Sequence, residues 1–107
     1  MEIMKPFRRR IDALDDQIID LLIERTGIIR EVGHFKFEND IPAVLPDRVS
    51  EVRERAAERA AAKGLDADLV RQLYTIIIGY SCDLEEEIKG QLAAEAKSNH
   101  SVSSISS

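Results

Sequence analysis

Residues 6–37 read PFRRRIDALDDQIIDLLIERTGIIREVGHFKF, and this stretch decides the fold. Its apolar residues recur at steps of three and four, the spacing of one helix face and close to that of a coiled-coil seam. They are Ile11, Leu14, Ile18, Leu21, Ile28, Val32 and Phe35. The spacing predicts one long amphipathic helix from Pro6 to Phe37.

Two cations fall on this apolar face. Arg25 stands where the spacing after Leu21 would place another apolar residue. Lys36 returns to the same face, because eleven residues make about three turns at 3.6 residues per turn. Cations on an apolar surface are tolerated only when an anion compensates them. The pair therefore predicts an anionic ligand or partner beside this helix.

The composition bounds the class of protein. The chain has 107 residues, of which 44% are apolar and 33% charged, as in one small soluble domain. Its net charge of −5 argues against nucleic acid as a partner. With neither a signal peptide nor an apolar run of about 18 residues, we expect a cytoplasmic protein with no membrane partner.

Cysteine and histidine are scarce. The single cysteine, Cys82, excludes a disulfide within the chain. Two histidines and one cysteine are too few for a zinc-type site. We expect neither a metal nor a cofactor.

Turn residues divide the rest of the chain into two further helices. Asparagine, aspartate and two prolines in residues 39–46 end the first helix. The second begins near Pro46 and ends at Gly64, a typical C-terminal cap. Asp66 is a favourable N-cap for the third. The fold class predicted is all-α, with one very long N-terminal helix, a short middle helix and a C-terminal helix.

The length of the first helix predicts an assembly. About 32 residues at about 1.5 Å each give a rod of about 48 Å, whereas a compact domain of this size has a radius of gyration near 13 Å. We expect an intertwined homodimer in which a second copy covers the overhang. The helical domain is expected over residues 1–95, and the Ser-rich residues 96–107 are expected to form a flexible tail.

Polar residues also interrupt the apolar face of the third helix. Ser81 and Glu85 stand among Val70, Leu73, Ile77, Leu84 and Ile88. Taken alone, each has a simple structural explanation, such as a hydroxyl bonded to its own helix or a solvated charge run.

Together with Arg25, Lys36 and Arg48, however, the two residues predict that three helices turn polar groups toward one interior. Arginine and lysine there suit a small dicarboxylate held over Val32. No residue set for covalent catalysis and no phosphate-binding loop is present, so binding and electrostatics are expected to do the chemistry.

A family resemblance rests on ordered motifs. They are Arg8-x-x-Ile11-Asp12-x-Leu14-Asp15, Leu22-x-Glu24-Arg25, Val32-Gly33-x-x-Lys36, Pro46-Asp47-Arg48 and Gly64-Leu65-Asp66. Over residues 7–88 the set resembles the all-helical (type II) chorismate mutases. The resemblance implies an intertwined dimer of three-helix chains, which converts chorismate to prephenate by a Claisen rearrangement without cofactor or covalent intermediate.

The resemblance also implies roles for single residues. Arg25, Arg48, Ser81 and the partner's Arg8 would hold the two carboxylates of the substrate. Lys36 and Glu85 would address the ether oxygen, and are the catalytic residues that we predict.

Three positions depart from the family pattern. Many bacterial members carry Gln at the position of Glu85, and only a protonated Glu could donate a hydrogen bond there. Val49 stands where typical members have a Glu that recognises the ring hydroxyl, and Leu45 replaces an acidic residue. Leu45 and Val49 are therefore expected to line the end of the site that reads the C4 substituent.

Two related chemistries stay open. Residues 46–49 and 64–66 are similar to isochorismate–pyruvate lyases, which form salicylate. Residues 48–50 and 81–85 are similar to 4-amino-4-deoxychorismate mutases of antibiotic pathways. We favour a mutase acting on chorismate or on its 4-amino analogue, with the lyase as an alternative. A non-catalytic helical dimerisation or regulatory module is the alternative from another class, and it would need no interior cations.

Overall fold

The computed structural model describes residues 2–106, and it describes side chains for residues 3–99. In this part of the chain all regular structure is helical. A 3₁₀ turn at Glu2–Met4 precedes α1 (Lys5–Glu38), α2 (Pro46–Ala62) and α3 (Ala67–Ser106). The predicted all-α fold of three helices is confirmed. No helix in the described range is long and apolar enough to cross a membrane.

The helix ends follow from local chemistry. α1 stops where Asp40 takes a positive φ of 54°, after the Asn39 side chain has capped the carbonyl of Phe35 at 2.8 Å. α2 stops before Gly64, whose φ of 83° suits a residue without a Cβ. Asp66 Oδ1 accepts the backbone N–H of Asp68 at 2.9 Å and so caps α3.

The backbone of α3 differs from the expectation for the C-terminal segment. The helix does not stop near residue 96 but continues to Ser106. Alanine, lysine and glutamate favour helix up to residue 97, and no Pro or Gly follows Gly90 to end it. Side chains from 100 onward and the whole of residue 107 lie outside the described residues, and the flexibility of residues 96–107 stays a prediction.

α3 is the central element, because it packs against both α1 and α2, which do not pack against each other. Small residues allow the close approach: Gly33 of α1 faces Ile88, and a Cβ built on Gly33 would lie 3.2 Å from its Cγ2. On the other side, Arg71 of α3 donates to Glu54 of α2 at 3.0 Å. This hydrogen bond is the main reason that the pKa of Glu54 is lowered.

The single chain is long and flat. Its extents are 73 × 34 × 15 Å, and its radius of gyration is 19.9 Å, against about 13 Å for a compact chain of this length. The apolar face of α1 is correspondingly open. Six of its residues are between 55% and 63% exposed, namely Ile11, Leu14, Ile18, Leu21, Ile28 and Phe35. Such an apolar face typically marks a surface that another protein covers.

Candidate functional site

A cavity of about 420 Å³ lies between the three helices and the loop that joins α1 to α2. It is the place where the polar interruptions of the apolar faces meet. Its wall includes Arg25, Val32 and Lys36 of α1, Leu45, Arg48 and Val49 at the start of α2, and Ser81 and Glu85 of α3. The structure thus brings together all the site residues that the sequence singled out, except Arg8.

Arg8 lies elsewhere. It stands on the first turns of α1, is exposed to solvent, and does not line the cavity. Since α1 is a continuous helix, Arg8 is about 25 Å along the axis from Arg25. Within one chain Arg8 therefore cannot take part in this site.

A side chain of α3 fixes the orientation of Arg25. Its Nη1 donates a hydrogen bond to the Oγ of Ser81, and that hydroxyl in turn donates to the carbonyl of Ile77 at 3.0 Å. A serine hydroxyl can accept one bond while donating another, so Ser81 orients Arg25 while its own proton is bound by α3. The remaining guanidinium N–H groups stay available to an anion in the cavity.

Lys36 and Glu85 lie side by side in the cavity wall. The Lys36 Nζ lies 2.6 Å from Glu85 Oε1 and donates to the carbonyl of Ala43 at 2.8 Å. The Glu85 side chain is only 6% exposed. This distance defines an ion pair, and the Lys36 ammonium compensates the charge of the buried Glu85 carboxylate.

Arg48 is held differently. Its Nη1 pairs with Glu51, one turn further along α2, and the Arg48 side chain is 58% exposed. Exposed pairs of this kind contribute little to stability. Arg48 can therefore exchange Glu51 for a carboxylate in the cavity at small cost.

Cys82 also lines the cavity, next to Ser81 on α3. Burial raises the pKa of this thiol, the charge of Glu85 raises it further, and the charge of Lys36 partly opposes both. Cys82 is therefore a neutral thiol at ordinary pH and adds a small, weakly polar surface to the wall.

Several wall residues were not predicted as part of the site. Ile28, Ile29, Val52 and Ile78 complete its apolar surface, and Ala43 contributes the carbonyl that binds Lys36. The isoleucines and the valine follow the helical apolar spacing, so the sequence marks them as core but not as site. The carbonyl of Ala43 has no signal in the sequence, because every residue carries one.

The cavity as a whole is apolar with a cationic excess. Arg25, Lys36 and Arg48 supply three positive charges, and Glu85 supplies one negative charge. The described residues include no cluster of His, Cys, Asp or Glu suited to a metal ion. Such a site fits a small apolar ring compound that carries two carboxylates.

Comparison with known proteins agrees with this geometry. Residues 7–86 match the family described as chorismate mutase type II. The chain belongs to the type II chorismate mutase family. The resemblance stated from the sequence is confirmed.

Relatives within the type II chorismate mutases include two from Streptomyces. The chain is 36% identical over 80 residues to a 4-amino-4-deoxychorismate mutase of Streptomyces pristinaespiralis, a match that covers 75% of this chain and 62% of the relative. It is 31% identical over 94 residues to a 4-amino-4-deoxychorismate mutase of Streptomyces venezuelae, with 88% and 91% covered. A chorismate mutase of Methanocaldococcus jannaschii is 23% identical over 87 residues, with 81% and 88% covered. The chain thus spans less than two thirds of the first relative and most of the other two.

Proposed function

We propose that this chain catalyses the Claisen rearrangement of 4-amino-4-deoxychorismate to 4-amino-4-deoxyprephenate, or of chorismate to prephenate. The observation that carries the proposal is the shared cavity of Arg25, Lys36, Arg48, Ser81 and Glu85. The amino substrate is the first candidate because two relatives bear its name. Chorismate is the second, because the family and the Methanocaldococcus relative are named for it.

The reaction needs no group transfer to the protein. Within one molecule a carbon–oxygen bond breaks while a carbon–carbon bond forms, and the enolpyruvyl arm must fold over the ring to allow this. Arg25 and Arg48 would each hold a carboxylate in bidentate fashion, and Ser81 would orient Arg25. Holding both carboxylates fixes the folded arm and removes most of the entropic part of the barrier.

Lys36 and Glu85 would act on the ether oxygen. Negative charge grows on this oxygen as its bond to carbon breaks, so a fixed ammonium stabilises the transition state more than the bound substrate. The Ala43 carbonyl and the Glu85 carboxyl hold the Lys36 Nζ inside the cavity. A rate enhancement of about 10⁶ would need about 8 kcal/mol, which a restricted substrate and two donors can supply together.

The C4 substituent would lie at the end of the cavity that Leu45 and Val49 line with apolar surface. An apolar wall does not select a hydroxyl by hydrogen bonding, because it offers neither donor nor acceptor. This end therefore gives no advantage to chorismate over its amino analogue, which supports keeping both substrates in the proposal.

The active form proposed is an intertwined homodimer. The apolar face of α1 is more than half exposed in one chain, and Arg8 lies far from the cavity of its own chain. Packing the α1 helices of two copies against each other would bury this face and could bring the partner's Arg8 to the cavity, where it would complete the grip on the carboxylates.

Turnover assays with three substrates test the proposal. Purified protein is incubated separately with 4-amino-4-deoxychorismate, chorismate and isochorismate, and the products are separated by chromatography. Aminodeoxyprephenate or prephenate is expected. Arg25→Ala and Lys36→Ala should lower kcat/KM by at least about 10²-fold, as for the loss of one preorganised donor. Lys63→Ala, at an exposed cation outside the cavity, is the matched control and should keep full activity.

Other products would change the conclusion. Salicylate and pyruvate from isochorismate would support the lyase. No turnover of any substrate, together with Arg25→Ala and Lys36→Ala dimers at least as stable as the wild type, would leave a non-catalytic dimerisation module.

The role of Glu85 has its own test. A carboxyl group can donate to the ether oxygen only when it carries a proton, and kcat is expected to depend on pH through this requirement. Glu85→Gln keeps a donor at every pH and should flatten the profile of kcat against pH. A profile with the same slope in both proteins would remove Glu85 from the mechanism.

A further inference from the structure

A second groove, of about 340 Å³, adjoins the cavity and is lined by arginines. Arg25 and Arg48 belong to both spaces, and Arg55, Arg59 and Tyr74 extend the groove along α2 and α3. The groove contains no acidic side chain. Four guanidinium groups in one groove stand out in a chain whose net charge is −5.

The arginines at the far end have no acidic partner among residues 3–99. Arg53 and Arg71, on other faces of α2 and α3, form ion pairs with Glu54 at 3.4 and 3.0 Å. Arg55 and Arg59 form none with a described side chain. Cations gathered without a counter-charge repel one another, and an acidic surface placed over them would relieve that repulsion.

The groove has room for such a surface because α1 and α2 pack only against α3. It lies between them, with Arg25 on α1, Arg55 on α2 and Tyr74 on α3. Val52 and Ala56 give it an apolar floor. A groove with an apolar floor and a cationic rim fits an amphipathic helix whose apolar face is flanked by carboxylates.

α1 itself is such a helix. Asp12 and Asp15 are exposed and flank the open apolar residues Ile11 and Leu14. Neither aspartate forms an ion pair with a described side chain. The same flank carries Arg8, because positions i, i+4 and i+7 share one side of a helix.

The shared residues connect groove and cavity. If the partner's Arg8 reaches into the cavity, the partner's Asp12 and Asp15 follow about 6 and 10 Å further along the same helix. The cavity and the groove meet at Arg25 and Arg48, which line both, so a partner helix that runs from the cavity into the groove carries these aspartates to the arginines. We infer that the arginine groove binds Asp12 and Asp15 of a second copy of α1, and that this charge pairing sets the register that places the second copy's Arg8 over the cavity.

This inference rests on the proposed homodimer and assigns Arg55 and Arg59 as positioning residues. They would not touch the substrate but would hold the helix that carries Arg8. A wrong register would lose these pairs and would place like charges in contact, so the groove adds specificity as well as affinity.

An exchange of charges between the arginine groove and the aspartates of α1 tests this inference. Arg55→Glu/Arg59→Glu and, separately, Asp12→Arg/Asp15→Arg should each raise the dimer dissociation constant by about tenfold or more in analytical ultracentrifugation. Because each copy carries both surfaces, the fourfold variant restores opposite charges and should return the constant to within about threefold of wild type. Arg53→Glu/Lys97→Glu is the matched control, with the same charge change on another face of α2 and on α3, and should leave the constant unchanged. Circular dichroism checks that each variant keeps its helices.

The results separate this inference from the proposed function. An unchanged dissociation constant in both double variants, or a fourfold variant that stays weak, would overturn it. So would saturable binding of inorganic phosphate to the wild-type dimer that Arg55→Glu/Arg59→Glu abolishes without affecting dimerisation. A monomeric wild type would overturn both the homodimer and this inference. A dimer that shows the exchange but turns over none of the three substrates would support the inference and contradict the proposed chemistry.

Discussion

The thiol of Cys82 is a direct probe of the cavity. Burial and the nearby Glu85 raise its pKa, and only the thiolate reacts readily with iodoacetamide. At pH 8 alkylation of the folded protein should be at least several-fold slower than in urea, and the difference should narrow as pH rises well above the usual thiol range. Mass spectrometry over time measures both rates. Equal rates would show that the cavity wall is open to water.

At this same scale, the site could be predicted in part. Arg25, Lys36, Ser81 and Glu85 were identifiable because a charged or polar side chain breaks a regular apolar spacing. Cys82 was not, because a cysteine among apolar residues looks like core. The pairing of Arg48 with Glu51 and the carbonyl that binds Lys36 depend on rotamers and on loop path, which only tertiary packing determines.

The loop between α1 and α2 is tied down by two lysines. Lys36 donates to the carbonyl of Ala43, and Lys89 of α3 donates to the carbonyl of Ile41. Lys89→Met should free the loop that carries Leu45 and so raise KM several-fold with a smaller change in kcat, because Glu85 of α3 still holds Lys36 in place. Lys97→Met, two turns further along α3, is the control. An unchanged KM would mean that Lys89 does not position the loop.

The crossing of α1 and α3 depends on a glycine. A Cβ on Gly33 would lie 3.2–3.3 Å from three atoms of Ile88, and one of them is the Ile88 Cβ, which cannot rotate away. Gly33→Ala should therefore lower the free energy of unfolding by about 1–2 kcal/mol, despite the better helix propensity of alanine.

Gly90→Ala provides the comparison, since nothing lies within 4 Å of a Cβ at that position. It should stabilise the protein by up to about 1 kcal/mol. Urea titrations measure both variants, and the cost of Gly33→Ala should shrink in an Ile88→Ala background. A Gly33→Ala protein as stable as the Gly90→Ala protein would show that α1 and α3 can move apart to accept the Cβ without loss of stability.

Helix type and boundaries were the most predictable elements. Pro46, Gly64 and Asp66 act through local backbone chemistry, and the structure confirms the helix ends that they predict. The end of α3 was less predictable, because serine and asparagine weaken a helix without forbidding it. The sequence also could not show that α3, and not α1, is the central element. Apolar spacing shows which face of a helix packs, but it does not show which other helix that face packs against.

For the whole molecule, the proposed dimer has a direct test by subunit mixing. If Arg8 acts across the interface, Arg8→Ala and Arg25→Ala should each inactivate the homodimer. When the two variants are mixed and allowed to re-associate, half of the dimers would be hybrids. Each hybrid would have one intact site of two, so about a quarter of the wild-type activity should return. The recovered activity is measured while one variant is titrated with the other. No recovery, despite hybrids detected by native mass spectrometry, would place Arg8 and Arg25 in the same chain's site.

The flat, extended shape of one chain also has a kinetic consequence. The first half of α1 finds little in its own chain to pack against, and a helix on its own is only marginally stable in water. In the proposed dimer, most of the burial of apolar surface that stabilises the fold occurs only when two chains associate. Renaturation would then be a bimolecular event whose half-time lengthens on dilution, so the supply of newly synthesised copies would govern how quickly the protein matures.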